Sequence, residues 1–523
     1  MRRTAALLAL AVPAALALTA APAPAATPGP PAYKTTLLVG SAGNTEPRVT
    51  VAPDGARYLT TNEKGTGNEI VFRSATGTTW NRVTMPPDQT SATIDVDVVA
   101  MHTGRILTSE LDTAGINFIT HYSDDQGKTW TQSTGQTFAD TDRQWFAVGP
   151  DDPSTHQPTV YLLFHNLLSG LLQHNMFVQT SHDGGATFGV PIPVATPGQQ
   201  DYLDLQCGDS GGPSSISVNQ KTGQVYVVFG TRSSPVGGCA AQPVEVNIVA
   251  ANRVWVVTAA AGKTETPGAW TPSLAVDNTA SGKITGMQLA PGALDDAGNV
   301  YVAYPESVNP YPDYNGAAIK VVHAAADLKS WSKPITVAPA GGAGNVLPHI
   351  VAGDAGKIAL SWWAGDSSKI WHAMAGQVLD ALSASPHVTS VQLSDAIAEK
   401  GTASELMGAC NEGPTATLNG FACGRSADVY GIAADTCGRT VLAWPAIDGT
   451  YASQQVSGTT LRSGVCGQAA VPPTVVKPIG QPPAAPPPGS GGGLPTTGAP
   501  AGVAAIAAFL LLTAAVLRRR LRT

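Results

Sequence analysis

Several side chains in this sequence stand where they could do chemistry. Arg48, Arg143 and Arg232 lie near the ends of alternating apolar segments, and a guanidinium so placed could grip a carboxylate through two parallel hydrogen bonds. Glu110, Asp142 and the Tyr304/Glu306 pair are the other polar candidates at such ends. The i,i+2 spacing of Tyr304 and Glu306 puts both on one face of a strand. Each of these groups has a plainer reading as a solvated loop charge or a salt bridge between neighbouring sheets. The acidic pairs Asp151-Asp152 and Asp295-Asp296 could hold Ca²⁺ together with backbone carbonyls, although turn capping is the commoner role of such pairs. Trp362 and Trp363 could offer a stacking face to a sugar, or fill a half-buried strand. No Gly-rich phosphate loop, His-Glu-x-x-His segment or Cys-x-x-Cys pair occurs. Neither zinc nor an organic cofactor is implied.

The elements that must position these groups are strands. The 523 residues include 56 Gly and 41 Pro, and only 13% are charged, a balance that favours many short strands joined by turns. A pattern recurs between Tyr33 and Gln468: an alternating apolar strand, a turn with Gly, then a second strand rich in Tyr, Val, Leu or Trp. It runs from Pro47 to Leu59, Val96 to Leu107, Trp145 to Phe164, Ser214 to Gly230, Gly286 to Tyr304, Leu347 to Trp363 and Val429 to Trp444. A third strand follows, as in Ile70 to Arg73 or Ile319 to Val322, and Trp80, Trp130, Phe188, Trp270 and Trp331 open a fourth. Four strands repeated at roughly 50 to 80 residues predict an all-β fold, a β-propeller of four-stranded antiparallel blades. Seven blades are expected, with six the close rival.

Two segments between third and fourth strands share Ser-x-Asp-x-Gly-x-Thr-aromatic. One places Ser123, Asp125, Gly127 and Trp130; the other places Ser181, Asp183, Gly185 and Phe188. This resembles the Asp-box, or bacterial neuraminidase repeat, of sialidases and related propellers, with weaker echoes at Ser74–Trp80 and Ala324–Trp331. In such a turn the Asp accepts amide hydrogen bonds, Gly takes positive φ and the aromatic plugs the sheet, so Asp125 and Asp183 read as structural. The resemblance implies three arginines around a substrate carboxylate, an acid/base Asp, and a Tyr nucleophile paired with a Glu. The family's Arg-Ile-Pro is here Pro47-Arg48-Val49-Thr50, so the Arg is kept and the rest departs. Arg143 and Arg232 could join Arg48, with Asp142 and Glu110 as further polar candidates, but the family draws its Tyr and Glu from separate strands, unlike Tyr304 and Glu306.

Cys207 to Pro213 reads Cys-Gly-Asp-Ser-Gly-Gly-Pro and resembles the nucleophile segment of trypsin-like serine proteases. That resemblance needs a distant His and Asp to complete a triad around Ser210. The nearest candidate, His102, lacks the neighbouring Cys, and Gly104 fits a repeat turn. Both Asp-box segments lie between His102 and Ser210, so Ser210 reads better as a loop residue beside a disulfide.

The two ends carry an address. Met1-Arg2-Arg3, an apolar stretch to Ala21 and Ala23-Pro24-Ala25 form a signal-peptide pattern, predicting residues 1–25 to be removed. Residues 469–493 are Pro-rich, then Gly-rich, and suit an extended wall-spanning stalk. Leu494-Pro495-Thr496-Thr497-Gly498, an apolar run from Ala499 to Leu517 and a basic tail follow over 494–523. The run is about long enough to span a bilayer, and the arginines hold the tail on the cytoplasmic side. This looks like the sorting signal of sortase substrates, which implies transfer of the Thr497 carbonyl to a peptidoglycan amine. Such processing leaves 24 basic against 37 acidic residues, a net charge of −13, which argues against a nucleic-acid partner. Six cysteines in an exported chain suggest disulfides, and sequence order suggests Cys207–Cys239, Cys410–Cys423 and Cys437–Cys466. Two functions are expected of the assembled protein. It is either a wall-displayed module recognising a glycan or surface partner, or an exo-glycosidase of sialidase type.

Overall fold

All seven repeat segments fold as the inner two strands of a four-stranded antiparallel sheet in the computed structural model. It describes residues 29–463 except 42–45, 63–67, 84–94, 113–116, 136–140, 167–173, 208–211, 236–238, 240–250, 286–289, 310–314 and 407–430. Blade one is Arg48–Val51, Arg57–Asn62, Glu69–Ser74 and Asn81–Arg82, from the inside out. Blade two is Val96–Ala100, Ile106–Asp112, Asn117–Ser123 and Thr131–Gln132, and blade three is Thr141–Asp151, Pro158–Asn166, Met176–Ser181 and Ile192–Pro193. Blade four is Pro213–Val218, Val225–Thr231, Arg253–Ala259 and Thr271–Asp277. Blade five is Gly292–Leu294, Val300–Glu306, Ala318–Ala324 and Ile335–Ala338. Blade six is Gly344–Ala352, Ile358–Gly365, Ile370–Val378 and Val388–Gln392, with Glu399–Lys400 added beside its third strand. Blade seven takes Gly431–Ala434, Thr440–Ala446 and Gly449–Ser457, and its outer strand is Ala32–Leu37 from the other end of the domain. The innermost strands contact one another in order, and the first contacts the seventh. The propeller therefore has seven blades, not six, and the early strand Ala32–Leu37 closes it.

Burial explains why the second strands read as apolar runs. Pro158–Asn166 and Val225–Thr231 are buried along their whole length, because a blade is covered on both faces by its neighbours. The two faces of Val300–Glu306 show the division. Val300, Val302 and Tyr304 pack with Tyr226, Val228 and Val256 of blade four, while Tyr301 and Ala303 pack with Ile358, Leu360 and Trp362 of blade six. Trp362 and Trp363 are fully buried, and Trp362 donates to Asn345 Oδ1 at 3.0 Å. Neither offers a stacking face to a sugar.

The turn chemistry is local and specific. Asp125 Oδ1 accepts from the Lys128 and Thr129 amides at 3.0 and 2.9 Å, and Ser123 Oγ accepts from the Gly127 amide at 2.8 Å. Asp183 Oδ1 and Ser181 Oγ do the same for Thr187 and Gly185, at 2.8 and 2.9 Å. Ser74 Oγ also accepts from the Gly77 amide at 2.8 Å. Gly185 has φ 82°, and a Cβ there would come within 2.8 Å of Leu107, so glycine is required for both reasons.

The two acidic pairs are engaged by protein donors. Asp295 accepts from the Ala297 and Asn299 amides at 2.9 Å, the Gly356 amide at 3.0 Å and the Tyr301 hydroxyl at 2.8 Å. Asp296 is gripped by Arg462 at 3.0 and 3.2 Å. Asp152 accepts from the Ser154 amide and from His182, both at 2.8 Å, and Asp151 pairs with His102 at 3.3 Å. These are turn caps and surface pairs, the commoner role of such residues. No group of three or more candidate ligands is arranged to hold a metal ion among the described residues.

Cys207 and Cys239 form a disulfide. Cys437 is disulfide-bonded, and the remaining expected members, Cys410, Cys423 and Cys466, lie outside the described residues. The same holds for the signal peptide, Ser210, the stalk and the sorting segment with Leu494, Pro495, Thr496, Thr497 and Gly498. Among the described residues no helix is long and apolar enough to cross a membrane.

Candidate functional site

Antiparallel pairing brings the start of each innermost strand beside the end of the second strand and the start of the third. At that end, blades one to three gather buried polar side chains: Glu46, Glu69, Asp95, Asp97, Glu110, Asp142, Arg143, His165 and His174. Arg48 joins them, half-buried. Groups that must be desolvated to sit there need specific partners, and several partners come from the next blade.

The first set stitches four blades together. Arg48 Nε donates to Asp97 Oδ1 at 3.0 Å, and its guanidinium lies 4.7 Å over the Trp145 ring, a cation–π contact. Asp97 Oδ2 accepts from the Phe146 amide at 2.8 Å. Trp145 Nε1 donates to the Pro213 carbonyl at 2.8 Å, which carries the chain of contacts into blade four.

The second set handles protons. Asp142 Oδ1 accepts from the Arg143 amide at 2.9 Å, and Asp142 Oδ2 faces His165 Nε2 at 3.6 Å, an ion-pair contact rather than a hydrogen bond. His165 Nδ1 meets His174 Nε2 at 3.0 Å, and His174 Nδ1 meets the Leu205 carbonyl at 3.4 Å. Burial, reinforced by the neighbouring His165, pushes His174 down to about 3, so its ring is neutral. Its Nδ1 proton then serves Leu205, its Nε2 accepts, and the shared proton belongs to His165 Nδ1. Arg143 holds φ 55°, a left-handed conformation that non-glycine residues rarely adopt.

Two carboxyls here are driven in opposite directions. Burial, then the nearby Glu46 and Asp142, pushes Asp95 well above the usual carboxylate range. Burial also acts on Asp142, but His165 and Arg143 outweigh it and hold that carboxyl low. Asp95 therefore keeps its proton and Asp142 stays ionised. A similar strain surrounds Glu69, raised by burial and by Glu110, although the Thr60 hydroxyl donates to it.

No family model matches this chain. No curated protein matches it either. Among solved structures it is similar to an ulvan lyase, a polysaccharide lyase, with TM-score 0.49, 11% identity, and coverage of 82% of this chain and 96% of that one. It is also similar to an α-L-arabinanase from Penicillium chrysogenum, with TM-score 0.40, 9% identity, and coverage of 84% and 99%. A lectin from Burkholderia pseudomallei follows, with TM-score 0.41, 11% identity, and coverage of 79% and 98%. These neighbours are glycan-active propeller proteins. At such likeness the chemistry must be argued from the side chains themselves.

The residues singled out in the sequence divide sharply. Arg48, Glu110, Asp142 and Arg143 come to the same end of the propeller. Arg232, exposed just past Val225–Thr231, and Glu306, the last residue of Val300–Glu306, lie at that end on blades four and five. Tyr304 does not belong with them: it is 1% exposed, sealed between blades four and five, and burial with the nearby Glu306 raises its phenol far above its ordinary range. Glu306 is held by Lys283 at 2.9 Å and Lys320 at 2.7 Å. The Tyr/Glu pair is thus an interior phenol and a largely buried carboxylate held by two lysines. His102, the triad candidate that the sequence already argues against, sits in the turn after the innermost strand of blade two, at the opposite end of the propeller from Pro213, which begins the innermost strand of blade four.

Sequence reading missed Glu46, Glu69, Asp95, Asp97, His165 and His174. The available signal was a charged residue or histidine interrupting an otherwise apolar strand, as in Val96-Asp97-Val98 and Leu163-Phe164-His165. A cavity of ≈ 690 Å³ follows the innermost strands of blades four to seven, with His349 in its wall, and is continuous with the site through Arg48. Its chemistry is poorer, because Asp296 and Arg462 at its rim are paired with each other.

The raised carboxyl makes a pH prediction. A folded-state value above the unfolded one means the proton is held more tightly in the native protein. That contribution is complete below the ordinary carboxyl range and is lost as pH rises through it towards the raised value. The wild-type unfolding midpoint in urea is therefore expected to fall relative to that of Asp95→Asn, which cannot ionise, as pH rises above the ordinary carboxyl range. A difference between the two midpoints that does not change with pH would show that Asp95 carries no such contribution.

Proposed function

We propose that this chain is an extracellular propeller, attached to the cell wall through Thr497, that recognises glycans at the end where its innermost strands begin. One observation supports the reading above the others: the Asp95–Asp142–His165–His174 network, in which groups are buried and driven to opposite protonation states. Perturbed groups of this kind concentrate at functional sites. The wall attachment rests on the pentapeptide, apolar run and basic tail occurring in order, with a sortase as the processing partner.

The purified protein should bind immobilised glycans without turning over fluorogenic glycosides, and Asp142→Asn should weaken that binding. Failure to retain any glycan would overturn the reading. Wall attachment predicts that protein from a sortase-proficient host resists hot detergent and is released by muramidase without its terminal arginines.

A second reading, glycoside hydrolysis, is favoured by the same split. One carboxyl that keeps its proton beside one that stays ionised is the pairing an acid/base glycosidase uses. Turnover lost in both Asp95→Asn and Asp142→Asn, with the fold intact, would establish it in place of simple recognition.

A further inference from the structure

We infer that the end of the propeller opposite the candidate site carries a pH-sensitive clasp, in which His182 joins blades three and four through Asp152 and Glu265. The inference goes beyond glycan recognition and does not rest on it.

The first argument is a count of protons. His182 Nδ1 lies 2.8 Å from Asp152 Oδ2, and its Nε2 lies 2.8 Å from Glu265 Oε2. Carboxylate oxygens only accept, so each contact needs a proton from the ring. A neutral imidazole carries one N–H, whereas an imidazolium carries two. Both contacts therefore exist together only in the charged ring. Once a proton is lost, one nitrogen turns a lone pair towards a carboxylate oxygen and that contact becomes repulsive. Burial opposes the charge on His182, but the hydrogen bonds to Glu265 and Asp152 outweigh it and raise the ring above its ordinary value. Asp152 is held low by the Ser154 hydroxyl and amide, so it stays an acceptor throughout.

The second argument is the equivalent seam one blade earlier. His182 follows Ser181 in its Asp-box, and Asp124 follows Ser123 in that of blade two. There Arg105 donates to both carboxylate oxygens of Asp124 at 2.7 and 2.9 Å. The same guanidinium reaches the Asp183 and Gly184 carbonyls of blade three at 3.0 and 3.2 Å. A guanidinium stays charged, so the seam between blades two and three does not titrate. The next seam puts an imidazole in that role. Glu265 lies in the loop between the third and fourth strands of blade four, and the Thr264 hydroxyl beside it meets that of Thr180 at 3.0 Å. The other titratable groups here are Asp183, which accepts from Thr187, and the Tyr161 phenol, pushed up to about 12 by burial, then by Glu265 and Asp152. Lys263 and His156 are exposed on the loops of Glu265 and Asp152.

The folded ring holds its proton more tightly than the unfolded one. The clasp is therefore complete below the ordinary histidine range and is lost as pH rises through the raised value.

The test follows the purified protein by NMR and hydrogen exchange, with the His182 ring signal assigned by its absence in His182→Gln. That ring is expected to titrate above the ordinary value of 6.5, and Glu265→Gln should lower its midpoint. Glu265 is exposed, so this variant keeps the fold. The Thr266 and Ala269 amides close turns in the Glu265 loop. Between about pH 5 and about pH 8, their protection, corrected for intrinsic exchange, should fall about two- to fivefold, the range of an exposed ion pair. Protection of the Thr129 amide, in the Asp-box of the Arg105 seam, should not change. In His182→Gln, which cannot gain a charge, loop protection should be the same at both pH values. A His182 midpoint at or below the ordinary value, or one that Glu265→Gln leaves in place, would overturn the inference. So would an equal pH dependence of loop protection in the wild type and His182→Gln.

Discussion

Trp444→Ala is expected to lose about 3–5 kcal/mol of stability, read as a lower guanidinium midpoint by far-ultraviolet circular dichroism. Trp444 is fully buried on the second strand of blade seven. Its ring stacks on Tyr451 at 4.6 Å and 11°, and meets Trp363 of blade six edge-on at 6.4 Å and 78°. Its Nε1 donates to Ser453 Oγ at 2.9 Å. Truncation therefore opens a cavity, removes an aromatic pair worth about 0.5–1.5 kcal/mol beyond its area and leaves Ser453 Oγ with Thr35 Oγ1 at 2.9 Å. The position matters as much as the size. Tyr451 pairs with Leu37 of the early strand, so the ring is held shut through the residues that Trp444 supports. Trp331→Ala is the control: that side chain is only half-buried, and its Nε1 donates to Ser273 Oγ of blade four at 3.0 Å. It should cost clearly less. Equal losses at the two sites would mean that closure is not where the domain is vulnerable.

The same closure marks the limit of what the sequence discloses. The inner pairs of strands were legible because both faces of a second strand are covered, which forces runs such as Val225–Thr231. The turns at Asp125 and Asp183 were legible because their geometry is set within eight residues. Ala32–Leu37 was not. It is an outer strand, partly exposed along its length, and its partners Gln455 and Tyr451 lie more than four hundred residues away, so nothing local forces its pattern. The site shows the same division. Arg48, Asp142 and Arg143 could be picked out as charges at strand ends. His165 and His174 acquire meaning only when the second and third strands of blade three pair and set their rings 3.0 Å apart. Tyr304 misled because the i,i+2 rule gives the face of a strand but not what covers that face, and here blade four covers it.

Arg48 decides between the two ways of reading the inner ring. If it were a ligand-gripping residue, its replacement would abolish binding and barely touch stability. The contacts argue the reverse. Asp97 is 3% exposed at its side chain and Arg48 is 23% exposed, so the two halves of the pair are not equivalent. Removing Arg48 leaves a carboxylate buried, with the Phe146 amide still donating to it. Removing the charge of Asp97 leaves a guanidinium that keeps the Trp145 ring and lines the ≈ 690 Å³ cavity. Arg48→Met is therefore expected to cost about 3–5 kcal/mol, and Asp97→Asn distinctly less. Arg48→Met combined with Asp97→Leu should recover part of the loss, because no charge is then left without its partner. Urea midpoints of the three variants, set beside their retention on immobilised glycans, separate the readings. A stable Arg48→Met that no longer binds would return Arg48 to the ligand. An unstable one whose folded fraction still binds fixes it as the clasp between blades one, two and three.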